Sequence, residues 1–317
     1  MRYALMSEPQ QGLTYDEILA LAKSVERAGL EAYFRSDHYN SFPGPEGRRT
    51  TDAWATLAGL ARDTERIGLG TLVSPVTFRS PGNLAKVVAT VDEMSGGRVE
   101  LGMGAGWHAA EHAAHGFAFP PLRERYDMLE ESLAIVHGLW TEPDGWSYGG
   151  AHWRVRDTLF RPRPERAGHR HPPIILGGEG GPRFASLAAR YADEVNIVSA
   201  TSKRVRTAYA RVRTACEEIG RDPAELTYSA MTGVLVADTP ADLDARVRDQ
   251  LEVTADDGTD AAAWLAERRR RWILGTPEEA RARIDALAAA GVQRIMLQDF
   301  LPRDLDMVAS IGRMVAT

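Results

Sequence analysis

The sequence predicts an α/β fold, a (β/α)8 TIM barrel in which eight parallel strands alternate with helices. Short apolar runs alternate with helical patterns from one end of the 317-residue chain to the other. That alternation is typical of parallel strands joined by crossover helices. The chain is 44% hydrophobic and long enough to bury one large core. We therefore expect a single domain over residues 1–317.

Eight segments have the composition of buried strands. Glycine, proline and polar residues flank each of these segments. Each segment is long enough to form one strand of a barrel. The predicted strands are 2–7, 32–38, 67–76, 98–104, 173–178, 194–199, 226–237 and 293–298. A count of eight favours a closed barrel over an open sheet.

Two helix starts carry a capping box, in which a threonine and a glutamate three residues later bind each other's backbone N–H groups. Thr14 and Glu17 open the first helix. Thr276 and Glu279 open the penultimate helix, which Gly291 ends before the last strand. Further helices are predicted at 51–65, 82–94 and 123–139.

Two segments interrupt the regular alternation and are predicted to be insertions. Segment 140–173 is rich in tryptophan and proline, which indicates an inserted loop or hairpin. Segment 238–275 begins acidic and ends in the basic run "ERRRRW". We interpret it as a solvated helical insertion, with a lid or a subunit contact as the alternative.

Composition excludes some classes of partner. A net charge of −6 argues against a surface that neutralises nucleic acid or coats an anionic membrane. The first residues turn polar too soon for a signal peptide, and no apolar run is long enough to span a membrane. The lone Cys216 fits a reducing compartment. We expect a cytoplasmic protein that binds a small molecule.

Active sites of such barrels lie at the carboxyl ends of the strands. Asp37 and His38 follow predicted strand two, where a histidine is a candidate proton donor; a loop histidine capped by its neighbour is the alternative. After strand four comes the glycine-rich run 102–106, and after strand five Gly177–Gly181 leads into a helix. A helix start of this kind binds anions, so we predict a phosphate site there, with a flexible loop as the alternative. Glu179 is expected to turn outward.

The stretch "GAGWHAAEHAAHG" also contains an H-x-x-E-H pattern, formed by His108, Glu111 and His112. This pattern occurs in zinc hydrolases. His115 lies about 10 Å further along a helix, too far for the same metal ion. Nothing in the sequence nominates another ligand, so we predict no metal site.

Three blocks of the sequence together resemble a known family. The blocks "SDHY", "LGTLVSPVTFRSPGNLAKVVATVDEMSGGRVELGMGAGWHAAEHAAHG" and "IILGGEGGPRFASLAARYADEVNI" resemble the bacterial luciferase-like flavin and deazaflavin oxidoreductases. The chain is most similar to the branch that uses coenzyme F420. The resemblance implies a luciferase-like barrel with the coenzyme ring at its carboxyl face, and a homodimer.

The resemblance also implies roles for single residues. A bulge in strand three would hold a cis peptide between Leu72 and Val73, behind the ring. The residues implied to bind the cofactor are Ser36, Leu72, Val73, Ala105, Gly106, Gly177, Gly178, Glu179, Gly180 and Gly181. Those implied to be catalytic are His38, Asp37 and Trp107.

Trp107 stands where sugar-phosphate dehydrogenases of the family carry a glutamate, which disfavours that activity. It would stack near the ring or wall the substrate space, and packing beneath the loop is the alternative. The basic segment 161–172 is a candidate contact for the acidic oligoglutamate tail of coenzyme F420, with a solvated loop as the alternative.

Three functions remain open. The first is an F420-dependent oxidoreductase that transfers hydride to a C=C or C=N bond of a small organic substrate. The second is a luciferase-like monooxygenase that uses flavin mononucleotide (FMN) to insert oxygen. The third is a cofactor-binding protein without catalysis, against which only the Asp37–His38 pair counts.

Overall fold

Eight parallel strands close into a barrel within the part of the chain that the computed structural model describes, which is residues 1–164, 171–199, 201–254 and 259–316. The strands, numbered along the chain, are β1 (Arg2–Ser7), β2 (Ala32–Arg35), β3 (Gly68–Pro75), β4 (Val99–Gly104), β5 (Trp146–Gly149), β6 (Arg154–Thr158), β7 (Ile174–Gly178), β8 (Glu194–Ile197), β9 (Thr227–Val236), β10 (Ile273–Gly275) and β11 (Arg294–Asp299). Barrel neighbours follow the order β11, β1, β2, β3, β4, β7 and β8, and β9 pairs with both β8 and β11. The predicted (β/α)8 barrel is therefore confirmed.

Helices connect the strands and cover the barrel. They are α1 (Tyr15–Arg27), α2 (Ala53–Asp63), α3 (Pro81–Ser95), α4 (Ala109–His115), α5 (Leu122–Thr141), α6 (Pro182–Tyr191), α7 (Ser202–Glu218), α8 (Pro240–Thr254), α9 (Ala261–Arg268), α10 (Pro277–Ala288) and α11 (Leu305–Val315). In the described part of the chain, none of them is long and apolar enough to cross a membrane.

The predicted capping boxes are present. Thr14 donates its backbone N–H to Glu17 at 2.8 Å, and Glu17 returns its N–H to the threonine hydroxyl at 3.3 Å. At α10, the backbone N–H of Thr276 donates to Glu279 at 3.0 Å. Gly291 has φ +94, in the left-handed region that glycine adopts without strain. Local sequence therefore determines where these helices begin and end.

Both insertions take regular structure. Within 140–173, β5 and β6 form an antiparallel hairpin, as one of the two predictions had it. Within 238–275, α8 and α9 form the predicted helical insertion, and β10 adds a short strand beside β9. Predicted strand 32–38 is shorter than expected, because the chain leaves the sheet after Arg35 and residues 36–38 begin a loop.

Side chains alternate between the two faces of the barrel wall. Leu5 packs outward in the core that the helices cover, whereas Met6 points into the barrel. The interior cluster consists of Ala4, Met6, Ala32, Phe34, Leu72, Ile175 and Met296. The barrel is thus a filled core, and ligands have access only at its ends.

An ion cluster closes the amino-terminal end of the barrel. Arg294, 2% exposed, lies 2.6 Å from Glu100 and 3.0 Å from Glu194, and it also contacts Glu31. Burial raises the pKa of Glu194, and Arg294 opposes that rise. One guanidinium therefore balances carboxylates from three parts of the barrel wall.

Replacing Arg294 should destabilise the barrel in a pH-dependent way. Arg294→Met keeps a long apolar side chain but leaves buried carboxylates without their cation, so we expect a loss of about 3–5 kcal/mol in the free energy of unfolding near neutral pH. A carboxyl whose folded pKa lies above its unfolded pKa loses stability as pH rises through that interval. The loss should therefore be smaller in mildly acidic buffer, which urea unfolding at both pH values measures.

Arg2→Met is the matched control, because its guanidinium lies 3.9 Å from Glu31 and is half exposed. An exposed pair of this kind contributes less than about 1 kcal/mol. Equal losses of unfolding free energy in the two variants would contradict the role of the cluster. So would a loss in Arg294→Met that does not change with pH.

Candidate active site

Helix α4 holds the loop after β2 in place through one carboxylate. Glu111 Oε2 lies 2.8 Å from His38 Nδ1. Its Oε1 accepts the backbone N–H of Asn40 at 2.8 Å and that of Tyr39. Burial raises the pKa of Glu111, but the hydrogen bonds from His38 and from these amides outweigh it and hold the pKa below its usual value. Glu111 is therefore a charged anchor for His38.

The H-x-x-E-H pattern thus has a role other than metal binding. His112 Nδ1 lies 2.7 Å from the backbone oxygen of His108, so Nδ1 carries the proton and Nε2 accepts from Thr77, 2.6 Å away. Both oxygens of Glu111 are also occupied. Within the described residues, no three His, Cys, Asp or Glu side chains are grouped as metal ligands. The pattern instead ties α4 to the loops after β2 and β3.

Asp37, next to His38 in the chain, has a different set of partners. Its carboxylate accepts from Arg79 at 2.6 Å and from the hydroxyl of Ser74 at 2.7 Å. Burial lowers the pKa of Arg79, but Asp37 and Asp52 together raise it above its usual value. Asp37 therefore links the end of β2 to the end of β3. The carboxylate that contacts the imidazole of His38 is that of Glu111.

Aromatic rings surround His38. The ring centroid of Phe42 lies 4.4 Å from that of His38, and Trp107 lies 5.8 Å away. Trp107 stacks on His108 at 4.9 Å, yet it is 64% exposed. Burial lowers the pKa of His108. The indole is therefore largely exposed beside His108 and does not pack beneath the loop.

The ends of β1 and β11 add a polar cluster that the sequence analysis did not single out. Glu8 accepts hydrogen bonds from Gln10 at 2.7 Å and from Gln298 at 2.6 Å. Ser36, implied to bind the cofactor, is 2% exposed and donates to Gln10 at 2.6 Å. Burial raises the pKa of the neighbouring Asp299 to about 7. The polar run "SEPQQ" after the first strand was the signal available in the sequence.

The bulge in β3 shapes the barrel mouth. The peptide between Leu72 and Val73 is cis, as the resemblance implies, and the register with β4 shifts there. The side chain of Val73 fills space that glycines leave. An added Cβ would lie 2.6 Å from Val73 at Gly104 and 2.5 Å from it at Gly177. Packing inside the mouth therefore requires Gly177 to be a glycine.

Ala105 and Gly106 follow β4 on the same side of the mouth. Gly106 has φ +75, which favours glycine, and its carbonyl accepts from Arg125 at 3.1 Å. Ala105 is half-buried against the core. The backbone of this loop is thus held in place and leads directly to Trp107.

The predicted anion site lies where β7 runs into α6. Gly180 has φ +77, and an added Cβ there would lie 2.4 Å from Ala208; at Gly178 it would lie 3.0 Å from the ring of Phe184. Gly181 caps α6, and no atom lies within 4 Å of the position of its missing Cβ. Gly181 makes no side-chain hydrogen bond to the first turn of α6, and a helix start of this kind leaves backbone N–H groups available to an anion.

A cationic cleft of about 290 Å³ lies between this turn and α7. Glu179 is 82% exposed and lies 3.3 Å from Arg204, so it turns outward as expected. The lining residues are Glu179, Thr201, Lys203, Arg204, Thr207, Ala208 and Arg211. Three cations face one carboxylate, so the cleft attracts anions.

The sequence also offers the basic segment 161–172 as a candidate contact for an acidic tail, with a solvated loop as the alternative. Arg161 and Arg163 both bind Asp144 of the hairpin, at 2.7 and 2.9 Å. Residues 165–170 of that segment lie outside the described residues. The run "SKRVR" at the start of α7 signals the cleft in the sequence, although a solvated helix face has the same composition.

Comparison with known proteins adds a family and several relatives. Residues 2–294 match the family described as luciferase-like monooxygenase. The F420-dependent glucose-6-phosphate dehydrogenase of Amycolatopsis mediterranei (strain U-32) is 33% identical over 178 residues, 56% of this chain and 51% of that protein. The F420-dependent hydroxymycolic acid dehydrogenase of Mycobacterium tuberculosis (strain ATCC 25618 / H37Rv) is 31% identical over 241 residues, 76% of this chain and 64% of that protein. The chain thus spans between half and two thirds of these relatives' lengths.

A solved structure shares the fold. It is an F420-dependent secondary alcohol dehydrogenase in complex with an F420-acetone adduct, and it matches with a TM-score of 0.84 over 99% of this chain and 98% of that chain. The two sequences are 19% identical, so this likeness concerns the fold alone.

The packing of Val73 against Gly177 can be tested by a double-mutant cycle. Gly177→Ala should reduce the free energy of unfolding by about 1–3 kcal/mol, because the new methyl group has no room. Val73→Ala should also destabilise, by leaving a small cavity. The double variant should recover part of the combined loss, as the alanine methyl enters the space that valine leaves. Urea unfolding measures all four proteins.

Gly82→Ala on α3 is the control, since no atom lies within 4 Å of its missing Cβ. It should be neutral or stabilising by less than about 1 kcal/mol. Strictly additive losses at positions 73 and 177 would show that the two side chains do not compete for one space.

Proposed function

The chain belongs to the luciferase-like monooxygenase family, and on that basis we propose that it is an oxidoreductase that uses coenzyme F420 to transfer hydride to or from a small organic substrate. The observation that carries this proposal is the cationic cleft beside the anion-binding turn, on the same face of the barrel as His38. The names of the F420-dependent relatives agree with it.

The residues present fit this coenzyme. The first turn of α6 offers unpaired N–H groups to a phosphate, and Gly181 leaves the approach open. Lys203, Arg204 and Arg211 lie beside it. Coenzyme F420 carries an acidic tail beyond its phosphate, so it would use both the turn and the cleft. FMN has one phosphate and would leave the cleft unused, which is why we favour the deazaflavin.

The chain supplies positioning and proton transfer. When bound, the deazaflavin supplies a ring carbon that carries hydride and reacts poorly with oxygen. His38 lies at the mouth with Nδ1 held by Glu111, which leaves Nε2 to exchange a proton with the substrate. Phe42 and Trp107 flank the imidazole. Asp37 acts through Arg79 by keeping the end of β2 in position.

The substrate is proposed to be a small organic molecule that reaches His38 at the mouth of the barrel. The acceptor predicted from the sequence, a C=C or C=N bond, stays a prediction. A carbonyl and alcohol pair needs the same proton at His38. Trp107 still disfavours a sugar phosphate, since it replaces the glutamate of those enzymes.

The other functions remain as outcomes of a test. An FMN-dependent monooxygenase would need the turn of α6 but not the cleft. A cofactor-binding protein without catalysis would have no use for the His38–Glu111 pair. The homodimer and the cytoplasmic location stay predictions from the sequence.

A titration separates the two cofactors. The protein, freed of small ligands, is mixed with coenzyme F420 and with FMN while fluorescence quenching is followed. We expect F420 to bind at least about tenfold more tightly than FMN. Added salt should reduce this difference in affinity, because the cleft acts through charge. Binding of FMN alone would overturn the proposal. Turnover is then measured as the F420 absorbance change with alcohols and with unsaturated carbonyl compounds.

Variants of α7 test the cleft itself. Lys203→Gln should weaken F420 binding by about threefold to tenfold, because one charge near the tail is lost, and should leave FMN binding almost unchanged. Arg206→Gln removes an equal charge from an exposed position on the same helix that does not line the cleft. If both substitutions weaken F420 binding equally, the cleft has no specific role.

A further inference from the structure

The contact between His38 and Glu111 fixes more than the position of a ring. We propose that Glu111 is a positioning residue that sets the tautomer of His38, so that Nε2 is the atom that accepts or gives the proton. The chemical use of that proton rests on the proposed function. The tautomer does not, because it follows from contacts within the chain.

The assignment begins with the carboxylate. Its pKa lies below the usual value, so Glu111 is ionised and its oxygens only accept hydrogen bonds. At 2.8 Å from Oε2, His38 Nδ1 must therefore be the donor. A neutral imidazole has a single N–H, which leaves Nε2 as a bare acceptor.

The carboxylate is itself prevented from turning. Its Oε1 binds the backbone N–H groups of Tyr39 and Asn40, the two residues after His38. Glu111 is fully buried, so water does not compete for these bonds. The same carboxylate therefore shapes the loop with one oxygen and orients the imidazole with the other.

The other ionisable groups near His38 leave this pair intact. Burial lowers the pKa of His108, whose ring centroid lies 6.2 Å from that of His38, so it adds little positive charge near neutral pH. Glu46 acts on His108 from the loop after β2. The negative charge of Asp37 is paired with the positive charge of Arg79. Glu111 is thus the carboxylate in direct contact with the imidazole.

The proton balance is simple for a carbonyl and alcohol pair. In oxidation the alcohol O–H bond would break and its proton would pass to Nε2 as the C=O bond forms, and the bound coenzyme would supply the acceptor for the hydride that leaves the carbon. His38 becomes an imidazolium between the substrate and Glu111, whose negative charge stabilises it. Reduction is the reverse, with Nε2–H giving the proton to oxygen.

Nitrogen-15 NMR of the ring tests the tautomer directly. In the neutral form of the wild-type protein, we expect His38 Nδ1 to carry the proton and Nε2 to be bare. In Glu111→Gln, the amide oxygen can still accept from Tyr39 and Asn40, but the amide N–H donates to Nδ1. The proton should therefore move to Nε2. The wild-type spectrum alone is decisive if this variant does not fold.

Kinetics adds a readout that a purely structural role would not give. Glu111→Gln should lower kcat by about 100-fold with KM changed less than about threefold, and the limb of the pH profile that depends on His38 should move to lower pH. Glu111→Asp keeps the charge and should recover part of the rate. Ala113→Gln, at an exposed position of the same helix, should stay close to wild type.

The outcomes distinguish this inference from the proposed function. A wild-type His38 protonated at Nε2 alone, or a fully active Glu111→Gln, overturns the role of Glu111 even if F420 turnover is observed. Absence of F420 turnover overturns the proposed function, while the ring spectrum still decides the tautomer.

Discussion

The guanidinium of Arg294, on the last barrel strand, binds carboxylates from β4 and β8 and contacts Glu31 just before β2. Buried charges are stable only when they are matched, so the cluster holds these strands at fixed distances around one centre. It lies at the amino-terminal end, below the apolar interior cluster. The carboxyl ends of the strands lie at the opposite face of the barrel. Active sites of such barrels form at that face.

The opposite face is shaped by small residues and one helix. Val73 occupies space vacated by Gly104 and Gly177, so the mouth is narrow but well packed. Helix α4 then ties the loops after β2 and β3 together through Glu111 and His112. The same face carries the anion-binding turn of α6 and its cleft. The proposed hydride transfer would use such an arrangement, because coenzyme and substrate must be held at fixed separation while a proton moves.

The site was partly predictable. His38 could be found because a histidine after a barrel strand is exposed to ligands, and the turn Gly177–Gly181 because glycines before a helix leave N–H groups free. The carboxylate that contacts His38 could not be found in this way. The sequence placed Asp37 beside His38, but successive side chains after a strand diverge, and Asp37 met Arg79 instead. Glu111 is far from His38 in the chain, so no local pattern pairs the two residues.

The sequence alone determined the number and order of barrel strands, the helix caps and the family, because these depend on local periodicity and on motifs that lie within short stretches. The tertiary structure decided which groups meet. In it, residues of the H-x-x-E-H pattern contact the loops after β2 and β3, Gly177 packs against Val73, and a cationic cleft lies beside α7. Contacts of this kind join residues far apart in the chain, and their energies depend on burial and direction, which no local pattern records.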